Sequence, residues 1–495
     1  MANFALYPKP QPTYFRKMLF NSINFAVFLP IVFVLYWFFA QRWLKVQNVL
    51  LLVASYFFYA SWDYRFLFLL VFSTFLDYFT GLKMHNAQHQ TAKKFWFWLS
   101  ISINIGFLGV FKYYNFFAQS FADAIANLGL QVNPWTLKVI LPVGISFYTF
   151  HGLSYIIDIY KNRINAEKNF IDYALFVSFF PLLVAGPIER ATHLLPQIKQ
   201  KRTFSYQKSV DGLRQILWGF FKKIVIADQC ADVINPILSH SADYSGSTIL
   251  VCAALFAFQI YGDFLGYSDI AIGTAKLFGI DLLRNFAFPY FSRDIAEFWR
   301  RWHISLFTWF RDYLYIPLGG SQGGTWHKVR NTFIIFLVSG FWHGANWTFI
   351  VWGFLNVLYI MPSIVFGTNR TNLNTVAQGK WLPNLKEFSQ ILVTFGLTVF
   401  AWIFFRADNI RHAFGLISSI FSRSLLTMPT DIPRRVLLFI VFFLIVEWAG
   451  RAQHYAIEKN EFKLPRYLQW GFYYALVFAI FYFSGSEQTF IYFQF

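Results

Sequence analysis

Two histidines stand in parts of this sequence that offer an imidazole little company. His343 lies in Ser339-Gly-Phe-Trp-His-Gly-Ala-Asn-Trp347, within a long apolar run and between Gly340 and Gly344. His303 closes the run Ser292-Arg-Asp-Ile-Ala-Glu-Phe-Trp-Arg-Arg-Trp-His303. An imidazole has an unperturbed pKa of about 6.5, so it can take a proton from a hydroxyl near neutral pH. An ionisable group at membrane depth is a functional candidate by default. Each histidine taken alone also fits a packed, hydrogen-bonded core residue. Glycines on both sides of His343 would let another backbone or a substrate come close.

The neighbours widen the chemistry. Arg300, Arg301 and Arg311 carry guanidinium forks that match phosphate oxygens. Asp294, Glu297 and Asp312 could instead neutralise them in salt bridges. Ser292, Asp294 and Glu297 predict a helix start with acids in its first turn. On that helix Arg300 and His303, three apart, would share a face. The stretch is too charged to span a bilayer and reads as interfacial or re-entrant. Asp263, Ser268 and Asp269 interrupt an apolar run. They would either line a wet cavity or cap helices, with Ser268 and Asp269 opening the next one. Asp269 and Asn346 are candidate substrate contacts. Glu189, after Ala-Gly-Pro-Ile, is a further candidate for a cavity wall.

Other chemistries lack their residues. The Gly-rich turn at 319–324 has no GxxxxGK[ST] pattern, and no GxSxG elbow occurs. His85 and His89 have i,i+4 spacing but no third ligand, so no metal site is expected. Cys230 and Cys252 sit among apolar residues and read as small buried hydrophobes.

The elements that must position these groups are membrane helices. The 495 residues are 57% hydrophobic and 13% charged, with a mean hydropathy of +0.43. A soluble chain of this size needs more polar surface. Aromatic residues make up 22%, and they suit the headgroup boundary. Apolar runs near 22–40, 46–61, 64–81, 95–114, 138–159, 170–187, 212–230, 247–266, 331–362 (long enough for two), 387–405, 434–449 and 468–484 predict an all-α polytopic transmembrane bundle. That is about 11–13 spans plus interfacial or re-entrant helices. The net charge of +18 collects in loops, such as 199–202 with Lys208, and Arg423 with Arg434 and Arg435. Such loops mark cytoplasmic faces and need no nucleic acid to explain them. Residues 363–386 read as an extramembrane loop. Residues 1–17 form a polar extension without the order of a cleaved signal. Residues 18–495 then form a single membrane domain, with the chemistry concentrated at about 260–350.

Several segments together resemble the membrane-bound O-acyltransferase family, most closely its bacterial branch of alginate O-acetyltransferase membrane subunits. They are Pro142-Val-Gly-Ile-Ser-Phe-Tyr-Thr-Phe150, Phe179-Phe-Pro-Leu-Leu-Val-Ala-Gly-Pro187, Tyr267-Ser-Asp-Ile-Ala-Ile-Gly273, Glu297-Phe-Trp-Arg-Arg-Trp-His-Ile-Ser-Leu306, Arg311-Asp-Tyr-Leu-Tyr-Ile-Pro-Leu-Gly-Gly320, Trp342-His-Gly-Ala-Asn-Trp347, Phe404-Phe-Arg-Ala407 and Phe490-Ile-Tyr-Phe-Gln-Phe495. The resemblance covers about 18–495 in order. It implies a ring-like helical bundle around a thinned centre, where a cytoplasmic acyl donor meets an acceptor from the outer side. It makes His343 the essential histidine and His303 the second polar position. It implies no bound cofactor, acetyl-CoA or another acyl thioester as donor, and a multi-pass place in the bacterial inner membrane. The implied partners are membrane lipid and an exported polysaccharide or an extracytoplasmic SGNH-type acetyltransferase. D-alanyl transfer and peptidoglycan O-acyl transfer are the alternatives within the family. A lipid-linked sugar transporter is the alternative outside it.

Overall fold

The computed structural model describes residues 18–130, 133–137, 141–184, 186–459, 464–485, 488, 490 and 491, so the polar 1–17 extension lies outside the described residues. Every regular element among these residues is helical. This follows from the medium, because a segment in hydrocarbon must satisfy its backbone internally. Five helices are long and apolar enough to cross a membrane: Tyr64–His85, Gln90–Ala126, Gly246–Leu277, Trp347–Val365 and Leu385–Arg406. Shorter apolar helices, Ile23–Phe39 and Leu44–Ala60, add to the multi-pass bundle.

The starts are chemically marked. Ser22, Asp63, Ser245 and Asn346 each accept a hydrogen bond from a first-turn backbone N–H of the helix they precede. Asn346 opens the second of the two helices expected in 331–362. The first, Thr325–His343, ends on the candidate histidine. The run at 170–187 is not one span. Helix Phe170–Ser178 ends at Phe179, whose ψ is 112°, and one turn follows at Phe180–Leu183. Pro181 lacks the N–H that a continuous helix would use.

Helix Gly246–Leu277 is the axis of the protein. Its 32 residues rise about 48 Å at 1.5 Å each. It packs closely on helix Tyr206–Phe220, where a Cβ built on Gly273 would stand 2.5 Å from the Gly212 carbonyl oxygen. Only glycine permits that approach. Ser268 and Asp269 lie inside this helix, so the expectation that they cap a following one is corrected. Lys222 and Lys223, on the wide turn Phe221–Asp228, supply the compensating charge. Lys223 pairs with Asp228 at 2.7 Å and Asp263 at 2.8 Å, and Lys222 pairs with Asp269. Glu447 accepts from the Trp218 indole and the Tyr261 hydroxyl, both at 2.9 Å. Buried charges survive in such a place only when paired.

One end of the bundle is basic. Lys93 reaches Asn162 at 2.6 Å, Lys199 reaches Glu167 at 2.9 Å, Lys208 reaches Asp281 at 2.7 Å and Lys276 reaches Asp211 at 2.6 Å. These contacts gather the 199–208 patch and four other helix ends onto one face. The other expected basic patch lies at the opposite end. Gly246 N donates to Ser424 Oγ at 2.8 Å and Thr430 N donates to Thr248 Oγ1 at 3.0 Å. Arg423, Arg434 and Arg435 therefore gather at the start of helix Gly246–Leu277, while Lys276 is in its last turn, and the expectation that both patches mark one face is corrected.

Candidate functional site

The chain around His303 breaks the pattern that its spacing suggests. The helix is only Ile295–Arg301, capped by Asp294, whose carboxylate accepts from Glu297 N at 2.7 Å. Trp302 is extended, and His303 sits in the left-handed region at φ 44°, ψ 51°. The start expected at Ser292 is therefore moved to Asp294, and Arg300 and His303 share no helical face. The cause lies outside the segment. Ala287 N donates to Arg301 O at 2.9 Å and Ile304 N donates to Asn285 O at 2.8 Å. Residues 285–287 thus take over backbone groups that a longer helix would have used. These contacts offset a left-handed histidine's strain of about 1–3 kcal/mol.

Asn285 also sets the chemistry of the ring. Ser305 Oγ accepts from Ile188 N at 2.9 Å and donates to Asn285 Oδ1 at 2.9 Å. That oxygen lies 3.0 Å from His303 Nδ1. An acceptor there places the ring proton on Nδ1 and leaves a lone pair on Nε2. His303 is buried, and Nε2 has no hydrogen-bond partner among the described residues. The Phe264 ring meets His303 edge-on at 4.6 Å.

His343 is buried too, and held differently. Its ring lies 4.9 Å from Trp342, 5.0 Å from Trp352 and 5.5 Å from Phe405. Lys112 Nζ donates to the carbonyls of Trp342 at 2.7 Å and His343 at 3.3 Å. Those carbonyls end a helix and have no partner in its next turn. The glycines serve packing. A Cβ on Gly340 would stand 2.4 Å from Phe349 O, and one on Gly344 would stand 2.1 Å from the Phe349 ring. The close neighbour is therefore helix Trp347–Val365. Both histidines border one indole, since the His303 ring lies 6.1 Å from Trp342.

Two cavities approach this pair. A small one of about 70 Å³ is lined by Lys112, Gly144, Ser146, Val184, Trp342 and His343. It lies at the N-terminal end of helix Ile145–Tyr160, away from the basic face that holds its other end. A larger one of about 340 Å³ is lined by Gln215, Asp269, Lys276, Asp281, Arg284 and Asn285. It runs from the basic face to the residue that holds His303. A third, of about 480 Å³, shares Asp281 with it and is lined by His193, Lys201, Arg202 and Lys208.

The other candidates divide. Asp269 lines the larger cavity while accepting from Gln215 at 2.7 Å and pairing with Lys222. Arg300 donates to the carbonyls of Asn369 at 2.7 Å and Asn372 at 2.9 Å, so it clamps the 363–386 loop. Arg301 pairs with Glu297 at 2.7 Å and Arg311 with Asp312 at 2.7 Å. None of the three arginines lines the described cavities near the histidines. Asn346 caps its helix and donates to Asp408 O at 2.8 Å. His85 ends one helix and His89 precedes the next, and no group of residues suited to a metal ion occurs among the described residues. Glu189 is fully buried, accepting from Leu283 N at 2.6 Å and lying 2.7 Å from the His193 ring. That hydrogen bond to the carboxylate raises the pKa of His193. Sequence reasoning passed over Lys112 and Asn285. Lys112 was legible as a lysine near the end of the 95–114 run. Asn285 carries no signal of its own, because its role comes from where the fold sends it.

Comparison with known proteins adds an independent line. A model of the MBOAT, membrane-bound O-acyltransferase, family matches residues 161–405. A protein of Pseudomonas aeruginosa named probable alginate O-acetylase is 40% identical, over 82% of this chain and 75% of its own length. A peptidoglycan O-acetyltransferase of Helicobacter pylori is 38% identical, over 80% of this chain and 78% of its own. A teichoic acid D-alanyltransferase of Streptococcus thermophilus is 27% identical, over 59% and 75%.

Proposed function

Because this chain belongs to the membrane-bound O-acyltransferase family, we propose that it transfers an acetyl group from acetyl-CoA on the cytoplasmic side to a hydroxyl presented from the other side of the bacterial inner membrane. The hydroxyl belongs to an exported polysaccharide, as in alginate, or to an extracytoplasmic SGNH-type acetyltransferase that relays the group. The polysaccharide class follows the two relatives near 40% identity, whose names specify O-acetylation of alginate and of peptidoglycan. The D-alanyl alternative has the more distant relative. Membership in the family, with relatives named for O-acetylation, supports acyl transfer over the transporter reading.

The observation that carries the proposal is the approach of two cavities, from opposite sides, to two buried histidines that share Trp342. His343 is the general base. It takes the proton of the acceptor hydroxyl as the oxygen attacks the thioester carbonyl. The C–S bond then breaks, and the leaving thiolate receives a proton from the imidazolium. Such general-base help contributes about 10²–10⁴-fold. His303 is an orienting group. With its proton on Nδ1, its Nε2 accepts a hydrogen bond from a donor or acceptor N–H or O–H. This supports orientation over stabilisation of an oxyanion, which would need an N–H. Lys201, Lys208, Lys276 and Arg284 line the basic cavities and so suit the phosphates of CoA better than Arg300, Arg301 or Arg311, which line none of the cavities described above.

The test uses the purified protein in lipid nanodiscs with labelled acetyl-CoA and an acceptor glycan or SGNH-type partner. Wild type is expected to consume the thioester and label the acceptor, and His343→Ala to lose at least 100-fold. Normal turnover by well-folded His343→Ala would remove the base from the mechanism.

A further inference from the structure

A larger cavity lies away from both histidines. It is a groove of about 670 Å³, within the roughly 300–1,000 Å³ usual for ligand sites. It runs between the start of helix Leu385–Arg406 and the end of helix Arg434–Ala449. Phe291, Leu385, Phe388, Leu444, Trp381 and Trp448 line it. The lining is almost entirely carbon, so it offers nothing to a peptide backbone and much to an alkyl chain.

Its walls are fixed in place. Arg451 lies 4.3 Å over the Trp448 ring and donates to the carbonyls of Val376, Ala377, Lys380 and Trp448. The Trp448 indole donates to Trp381 O at 2.7 Å. Phe291 meets Trp448 edge-on at 5.0 Å. Arg293 joins Glu387 at 3.2 Å, tying the start of the other wall to the segment that leads to His303.

The groove opens on the basic side. The segment after helix Arg434–Ala449 returns to that face, where the Tyr455 hydroxyl meets Asp211, which also holds Lys276. Exposed Lys380 and Lys386 each adjoin a residue of the lining, Trp381 and Leu385. Tryptophans at the mouth of an apolar groove, with lysines beside them, match the layering of a phospholipid at a membrane boundary. We infer that this groove is a specific site for an anionic phospholipid of the cytoplasmic leaflet, with one acyl chain in the groove and the phosphate held by Lys380 and Lys386. A bound lipid would brace Phe291 against Trp448 and so steady the 289–303 segment.

Native mass spectrometry of the full chain, loaded with equal phosphatidylglycerol and phosphatidylcholine of identical acyl chains, tests this. Wild type should retain one phosphatidylglycerol in preference to phosphatidylcholine. Neutralising each lysine should weaken the preference by about fivefold, so Lys380→Gln with Lys386→Gln should nearly abolish it. Ile445→Trp, at an exposed position of the lining, should fill the groove and lower retention of both lipids at least tenfold. Both lysines are exposed, so the paired variant tests the site even if Ile445→Trp fails to fold. Equal retention of the two lipids by wild type, or an unchanged preference in the paired lysine variant, would overturn the assignment.

Discussion

His303 and His343 border the same indole, yet the protein holds them by different means. His303 is set by polar contacts. Asn285 takes its Nδ1, Ser305 takes Asn285, and the backbone at 285–287 pulls the chain out of a helix. His343 ends a helix, its ring sits among Trp342, Trp352 and Phe405, and Lys112 secures the carbonyl ends behind it. Polar contacts choose a tautomer, whereas packing fixes a position. The difference suits an orienting group on one side and a base that must gain and lose a proton on the other.

Substitutions can break this comparison, and their effects should fall in order. His343→Ala should lower acetyl transfer by about 10²–10⁴-fold with little change in thermal stability. Asn285→Leu should come next. It strips His303 of its Nδ1 partner at about 1–3 kcal/mol, which is roughly 5–150-fold in rate if that orientation matters. His303→Ala should equal it, and the double variant should cost little more than either alone, because one residue acts through the other. Independent, additive losses would separate Asn285 from His303. Lys112→Leu should cost about tenfold in turnover, with partial rescue by Lys112→Gln, which keeps a donor for the two carbonyls. The smallest effect belongs to Arg300→Ala. It should loosen the 363–386 loop, as proteolysis would reveal, while the KM for acetyl-CoA stays within about twofold. Lys201→Gln with Lys208→Gln should raise that KM without touching kcat. The reverse pattern would return the phosphate role to Arg300.

Much of this was legible in the residues. The apolar runs announce a membrane bundle, and the length of 331–362 announces two helices. His343 stands out as a polar residue in an apolar run, and His303 closes a charged stretch that interrupts the apolar pattern. The local geometry around His303 was not legible. The spacing of Asp294, Glu297, Arg300 and His303 is helical, and a helix is the sound local inference. Contacts with residues 285–287 override it, and such contacts have no signature in the segment itself. Of the two readings of Asp269, the cap fails for a related reason, while the cavity wall agrees with its place in the larger cavity. Beside Ser268 it looks like a cap, but Lys222 lets it stay inside a 32-residue helix. The arginines illustrate a further limit. Sequence shows which forks could hold phosphate, while the fold shows that Arg300, Arg301 and Arg311 already hold something else.

The central claim is that donor and acceptor come to one histidine pair from opposite faces. Oriented proteoliposomes carrying the full chain test it most directly, with labelled acetyl-CoA on the basic face only and an impermeant acceptor glycan or SGNH-type partner on the other. The account predicts label on the far-side acceptor, dependent on His343, and none when the two substrates exchange sides. Transfer only when both substrates share one face would contradict it.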